Sequence, residues 1–348
     1  MKSQLNFRNC SGDLQQIPTI TEQLVNSKDY VYLGIDNDLP SVYFNAYNEC
    51  SILQSVINAT VDYISGSGID IEDKTINRQG EKLTELIEKI TLDYIIYGAF
   101  SIQVIKNKLN KIAELNYIDV RNVRLNEKGD YVYYNKGWGK YVRNITKYHR
   151  YTENQANSIL YVKNPKSKGV YGLPLWSSAL RDIYTLIEAS KNNYSNMVNG
   201  FSPNVLISFN NGVPTEDIQD EIEDLIKDKY TSANGNKIMI TWSDSKETAP
   251  EINSFSTEDY TARYEQVINS SRNAILSAFR VSGQLVGVLP EQTGFNSVEY
   301  EGAFKVFQKT VIKPIQRQIE KAFERLDINF KLNEFNIDWD NQSEEEIE

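Results

Sequence analysis

Apolar positions recur at helical spacing over most of this chain, interrupted by one block of strand-like alternation, and the breaks fall at glycine and proline. Residues 1–40 hold no sustained period and include Gly12, Pro18, Gly34 and Pro40, which predicts an irregular N-terminal arm. From Ser41 to Ile64, Leu53, Val56, Ile57, Val61 and Ile64 keep helical spacing; Gly66 and Gly68 stop that helix and GIDIE follows as a strand. Leu83, Leu86, Ile87 and Ile90 begin a second amphipathic helix that reaches Tyr97-Gly98-Ala99-Phe100. The period then shortens to two. SIQVI, ELNYIDV, VRLN and DYVYYN read as short strands around an Asn-Glu-Lys-Gly-Asp turn, with Trp138, Tyr141, Ile145 and Tyr148 as core or sheet-face aromatics. The first half is therefore α+β.

Helical spacing returns at Pro174, which suits a first helical turn because its missing N–H has no partner to lose there. Trp176, Leu180, Ile183, Ile187, Tyr194 and Met197 repeat at an average of 3.5 residues, and the helix runs to about Asn199. About 25 residues at 1.5 Å each span roughly 37 Å, and a narrow seam of that period packs lengthwise against other helices. Between Pro203 and Ser254 the pattern is strand (NVLISF), helix (Thr215 to about Tyr230) and strand (KIMITW), a compact βαβ-like insert. Ser256-Thr257-Glu258-Asp259 opens a second long helix, whose Tyr260, Tyr264, Val267, Ser271, Ala274 and Ala278 repeat the period of the first. Residues 281–299, with Gly283, Gly287, Pro290 and Gly294, break all periodicity and predict a flexible loop. A last helix from about Tyr300 to Leu326 buries Phe304, Phe307, Val311, Ile315, Ile319 and Phe323, and Pro314 inside it predicts a kink near Thr310. The tail, INFKLNEFNIDWDNQSEEEIE, gives one or two short strands and an acidic end.

Charge narrows the function classes. With 37 Lys and Arg against 47 Asp and Glu, the net charge is −10 and the pI about 5.0. Affinity for a duplex comes mostly from phosphates neutralised by cations, so this balance argues against a tight nucleic-acid binder. Lys305, Lys309, Lys313, Arg317, Lys321 and Arg325 recur every four residues, but each step overshoots a turn by about 40°, which spreads them halfway around the helix. They read as a solvated surface paired with Glu301, Glu320 and Glu324. The 22 tyrosines fit half-buried strands and subunit interfaces.

Catalytic signals are missing from the sequence. There is no GxxxxGK[ST], HExxH, CxxC or GxSxG; Gly66-Ser67-Gly68 follows a helix and reads as a helix stop, and His149 stands alone. Cys10 and Cys50 do not make a metal cluster, and Asp338, Asp340, Asn341 and Glu344–Glu346 lack the glycine of a calcium loop, so no metal or cofactor is expected. No apolar run approaches the roughly 18 residues of a membrane helix, and the N-terminus has no signal-peptide character, which predicts a protein of the cytosol or of a particle assembled there.

Several features taken in order carry a family resemblance: helix and glycines over 48–68, Tyr97-Gly98-Ala99-Phe100, Tyr171-Gly172-x-Pro174 before a long helix, Asn199-Gly200-Phe201 closing it, the helix start at Ser256, the segment Val281–Leu289, and Lys313-Pro314 in the last helix. In this order they resemble tailed-bacteriophage portal proteins over roughly Tyr43 to Leu326. The resemblance implies an α+β portal fold: an arm (1–40), a wing (41–172), a stem helix (173–200), a clip (201–255), a second stem helix (256–280), a tunnel loop (281–299), a kinked wing helix (300–326) and a C-terminal strand with an acidic tail (327–348). A crown is expected to be absent or reduced.

It also implies a virion ring of twelve copies at one capsid vertex, without catalytic residues. Its partners would be the large terminase, neck or adaptor proteins, the major capsid protein and double-stranded DNA passing non-specifically, with no membrane. The tunnel-loop residues expected at the DNA are Gln284, Val286, Val288, Glu291 and Gln292. Glu216, Asp217, Asp220, Glu221 and Asp224 mark either an acidic docking face of the clip or a solvated helix. Two other functions share parts of the pattern: another virion ring component, such as a neck or tail adaptor, and a metal-dependent nuclease built from carboxylates on separate strands.

Overall fold

A six-stranded mixed sheet organises the larger part of the chain. The computed structural model describes residues 18–25, 28–139, 142–198, 206–209, 212, 214–215, 217–222, 224, 239–243, 257–287 and 297–335. These fall into two compact units, one of residues 18–183 with 272–335 and the other of 184–271, and the chain passes between them within two long helices.

In the larger unit the sheet is built from β3 (Ala99–Lys106), β4 (Ile112–Ile118), β5 (Val123–Leu125), β6 (Tyr131–Tyr134), β7 (Thr146–Arg150) and β8 (Asn157–Lys163), in the order β4-β3-β8-β7-β6-β5. Only the β7–β8 pair is parallel. β8 is flanked by strands on both sides and carries the run Ser158–Tyr161, fully buried. A run buried on both faces lacks the two-residue period of a half-exposed strand. Helices α1 (Leu39–Glu49), α2 (Ser51–Ser65) and α3 (Leu83–Tyr97) complete this core, with Leu53, Val56, Ile57, Leu86, Ile87 and Ile90 inside.

Four sequence expectations change here. The helix expected over 41–64 is two helices broken at Cys50, whose extended backbone (φ −102°, ψ 104°) ends α1 and starts α2. GIDIE is not a strand: Ile69 makes one isolated bridge to Leu332 and Ile71 is exposed, so no neighbour extends the ladder. Within the described tail, the same bridge is all that remains of the expected terminal strands. The arm expected to be irregular holds a hairpin, in which β1 (Glu22–Leu24) pairs antiparallel with β2 (Val31–Leu33). Its Tyr30 and Tyr32 rings join Tyr133 and Trp138 in an aromatic cluster, which gives the hairpin its anchor.

After a single turn of 3-10 helix at Leu175–Ala179 comes α4 (Leu180–Val198); the tight turn replaces the α-helical start expected at Pro174, which is instead the extended N-cap residue (ψ 154°). In the smaller unit, β9 (Leu206–Phe209) and β10 (Met239–Trp242) pair in parallel, with Phe209 stacked on Trp242 at 4.5 Å. Residues 217–222 and 224 between them are helical, so the insert has β-α-β order. The second long helix, α5 (Thr257–Phe279), is tied to α4 inside this unit by the Tyr264 hydroxyl, which donates to the Ala189 carbonyl at 2.7 Å.

The last helical segment begins three residues before Tyr300, as α6 (Ser297–Phe307), and continues after a π turn (Gln308–Ile312) as α7 (Lys313–Glu324). Phe304, Phe307, Val311, Ile315, Ile319 and Phe323 are all buried. No described helix is long and apolar enough to cross a membrane.

Candidate functional site

Two glycine motifs meet in the core of the larger unit. Gly98 ends α3 in the left-handed conformation (φ 69°), and its carbonyl accepts from the Asn164 amide at 2.7 Å. Gly172 lies against it so closely that a Cβ there would stand 2.1 Å from the Gly98 oxygen, and one on Gly98 would stand 2.2 Å from the Leu173 carbonyl. Only two backbones without side chains approach in this way. The YGAF and YGLP sequences are thus the two halves of one contact.

The side chains around it fix the loop that enters α4. Tyr171 is buried, donates its hydroxyl to the Val31 carbonyl at 2.6 Å and accepts from the Leu125 amide at 2.9 Å, so it joins the β2 hairpin to β5. Burial raises the Tyr171 pKa, which keeps its donor proton in place. The Glu22 carboxylate accepts from the Val170 and Tyr171 amides at 2.7 and 2.9 Å. Trp176, with no exposed surface, donates its indole N–H to the Ile95 carbonyl at 3.1 Å and meets Tyr43 edge-on at 5.2 Å.

Arg124 is a further buried anchor, with no carboxylate at ion-pair distance among the described residues. Its Nε donates to Asn37 Oδ1 at 2.6 Å, Nη2 to the Asn37 carbonyl at 2.5 Å and Nη1 to the Val123 carbonyl at 2.7 Å, and the guanidinium lies 4.9 Å from the Trp138 ring centre. Burial pushes its pKa down to about 10. No local sequence pattern marks Arg124 or Asn37, because their pairing spans residues far apart in the chain.

Where a kink is expected near Thr310, the helix has a π turn. Pro314 has no N–H to offer the Thr310 carbonyl, and its ring would strike that carbonyl in a regular α-turn. Widening the preceding turn moves the carbonyl aside, and the Thr310 hydroxyl donates to Val306 O at 2.8 Å. A cavity of about 90 Å³ lies beside the turn, lined by Tyr94, Leu175, Phe279, Val311, Pro314 and Ile315 among others. Gln316 is buried and ties α7 to the end of α2 through the Ile64 carbonyl at 3.0 Å.

The sequence profile of the phage portal protein family matches residues 79–345, most of the chain. The chain belongs to this family. Portal family proteins are structural, non-enzymatic components of virions. Among curated proteins the chain is similar to the uncharacterized protein YqbA of Bacillus subtilis (strain 168), 23% identical with 80% of this chain and 69% of YqbA covered. It is also similar to the phage-like element PBSX protein XkdE of the same strain, at 21% identity with 77% and 69% covered. Its fold is similar to a chain of the virion of a native gene transfer agent particle (TM-score 0.55, 15% identity, 87% of this chain and 84% of that chain). A chain of the neck of such a particle, computed with C12 symmetry, is similar at the same TM-score and identity, with 84% of each covered.

The residues singled out for this portal chain are distributed unevenly. The segment from Val281 starts as a 3-10 turn at Gly283–Val286, with Leu285 and Val286 buried. Their carbonyls accept from the Tyr63 hydroxyl at 2.8 Å and the Ser55 hydroxyl at 3.1 Å of α2. The expected flexible loop is thus ordered through its first residues, because two apolar side chains find the core and α2 supplies donors for the backbone. Gln284 is half-buried and Gly287 exposed; Val288, Glu291 and Gln292 lie outside the described residues.

In the insert, Asp217, Asp220, Glu221 and Asp224 are exposed, whereas Glu216, Asn199 and Gly200 lie outside the described residues. On the last helix Lys305 pairs with Glu301 and Lys313 with Glu334 at 2.8 Å, but Glu320 pairs with Lys331 outside the stripe. His149 is exposed beside Tyr131, and burial at the α1–α2 break raises the Cys50 thiol pKa. Among the described residues no three His, Cys, Asp or Glu side chains are grouped to hold a metal ion.

Proposed function

We propose that this chain is the repeating subunit of a portal ring at one virion vertex, the conduit through which double-stranded DNA is packaged and ejected. The family match over residues 79–345 carries the reading. Similarity to a gene transfer agent neck computed with C12 symmetry supports a ring of twelve copies. In this reading residues 41–172 and 300–326 are the wing, α4 and α5 the stem, 201–255 the clip and 281–299 the tunnel loop. Tyr194 is 68% exposed and Val267 46%, both at seam positions of the paired helices, which favours lateral contacts between copies of the stem. Gln284, Val288, Glu291 and Gln292 face the DNA; Val286 is an anchor to α2, since its side chain is buried. The exposed Asp217, Asp220, Glu221 and Asp224, with Glu216, form the docking face for the large terminase and then for neck proteins, and the wing meets the major capsid protein. Electron microscopy of the purified protein should show closed rings with a channel about as wide as duplex DNA, and Tyr194→Asp with Val267→Asp should prevent ring formation while leaving each subunit folded. A protein that stays a folded single subunit at every concentration would overturn the proposal.

A further inference from the structure

From residue 131 to residue 152 the chain has no Asp or Glu, yet holds Lys136, Lys140, Arg143, Lys147 and Arg150, within a protein of net charge −10. β6 and β7 and the loop between them form this stretch. Arg150 is turned inward, donating to the Gly129 and Tyr161 carbonyls, and Lys140 lies outside the described residues. Three described cations of the stretch remain, Lys136, Arg143 and Lys147. Lys147 is paired across the strands with Tyr133, and its ammonium rests 3.8 Å from the Tyr131 ring centre. The loop is closed at its base by the Asn135 side chain, which donates to the Arg143 and Asn144 carbonyls at 2.6 and 3.3 Å and accepts from the Gly137 amide at 2.9 Å. That closure puts Lys136 and Arg143 at the end of the ribbon, while Lys147 stands on its next-to-last strand pair with its ammonium leaning back to Tyr131; all three are exposed. The carboxylates nearest in the chain are Glu127 and Asp130, in the turn that precedes β6, and Glu153, just beyond the stretch.

We infer that this end of the β6–β7 ribbon is a contact site for the phosphate backbone of duplex DNA, separate from the tunnel-loop residues. Protein partners select surfaces with an apolar centre and few charges, whereas DNA selects polar, positive ones. Here Trp138 and Tyr133 are turned into the aromatic cluster with Tyr30, and among the described residues no large apolar side chain of the ribbon is exposed. Among the described residues the exposed side chains are cationic or polar, and the Tyr131 ring holds Lys147 in place. The α6–α7 cations differ, since Glu299, Glu301, Glu320 and Glu324 are interleaved with them. The choice of DNA as the polyanion rests on the portal reading.

The test uses a fluorescent, covalently closed DNA circle, which cannot thread a preformed ring, titrated with the full-length protein. Three phosphate contacts predict binding about 40-fold weaker at 200 mM than at 50 mM salt. The Lys136→Ala/Arg143→Ala/Lys147→Ala variant should lose at least 10-fold in affinity at 50 mM salt. Lys136→Arg/Lys147→Arg should retain binding, and so should Lys309→Ala/Arg317→Ala/Lys321→Ala, which removes the same charge from α6–α7. Equal losses in the two triple variants, or no loss in the first, would overturn the inference. So would displacement of the circle by polyglutamate at a lower charge concentration than by competing duplex, which would make the partner an acidic protein. Far-UV spectra check that the variants fold. Microscopy of the same samples scores rings independently, so failure of the contact is distinguished from failure of the portal reading.

Discussion

Replacing Gly172 by alanine tests whether the two glycine motifs form one rigid contact. The added Cβ would meet Gly98 O at 2.1 Å, Gly98 C at 2.6 Å and Ala99 Cβ at 2.8 Å, so the obstacle is mostly backbone. That backbone is held by Gly98 N–H to Tyr94 O at 2.9 Å and by the Asn164 amide on Gly98 O at 2.7 Å. Overpacking costs about 1–3 kcal/mol, and the rigid obstacle favours the upper end. Opening the contact also weakens a hydrogen bond of about 1 kcal/mol, while the stiffer unfolded chain returns about 0.4–1 kcal/mol. The net loss is about 3 kcal/mol, which for a unit of this size lowers Tm by about 6–12 °C. Gly98→Ala should cost more, because alanine at φ 69° adds about 1–2 kcal/mol of backbone strain. Thermal unfolding followed by tryptophan fluorescence reads both, since Trp176 is buried beside the contact. A single opening relieves both clashes, so the double variant should lose at least about 1 kcal/mol less than the sum of the singles. A Gly172→Ala protein melting within about 1 °C of the parent, or strict additivity in the double variant, would mean that the two motifs are not one rigid contact.

Gly302, inside α6 with open space where a Cβ would stand, gives the opposite sign: Gly302→Ala should raise subunit stability by about 0.5–1 kcal/mol, read as a higher urea midpoint at unchanged slope. Asp93 is buried where it accepts from the Tyr117 hydroxyl at 3.0 Å and the Val120 amide at 3.3 Å; burial, then Asp119, raises its pKa well above the ordinary carboxylate range. The folded state therefore binds the proton more tightly than the unfolded one, and this group's contribution to stability is full below the ordinary carboxylate pKa and is lost as pH rises through the raised value. Asp93→Asn should gain Tm relative to the parent as pH increases from 4 to 8, and a pH-independent difference would contradict the assignment. Removing the two α2 donors with Ser55→Ala and Tyr63→Phe should speed amide hydrogen exchange at residues 283–287 while α3 amides stay protected; equal acceleration in both would mean the 3-10 turn is not held locally.

How much of this was readable in the sequence follows from where each residue finds its partner. The last helix was legible because its six core positions all face one interior, and a period is the one signal that needs no knowledge of the far side. Proline marked the place of the kink for the same local reason, though the π geometry depends on how the freed carbonyl is accommodated. Cys50 is different: the apolar spacing after Leu53 says nothing about the residues before it, so two helices read as one. β8 was lost because its run Ser158–Tyr161 is buried on both faces and has no polar alternation to show, and the β1–β2 hairpin because its anchor, the Tyr133 and Trp138 rings, lies about a hundred residues on. The glycine motifs stand between these cases. Each alone reads as punctuation: the helix that reaches Gly98 ends there, and Gly172 stands in the loop before Pro174. Neither tells that the absence of one side chain answers the absence of the other, 74 positions apart. A local pattern records what the chain does at a residue; the reason that residue admits no substitute is recorded in another segment, and here two motifs of the ordered set that carries the resemblance, YGAF and YGLP, are parts of a single contact.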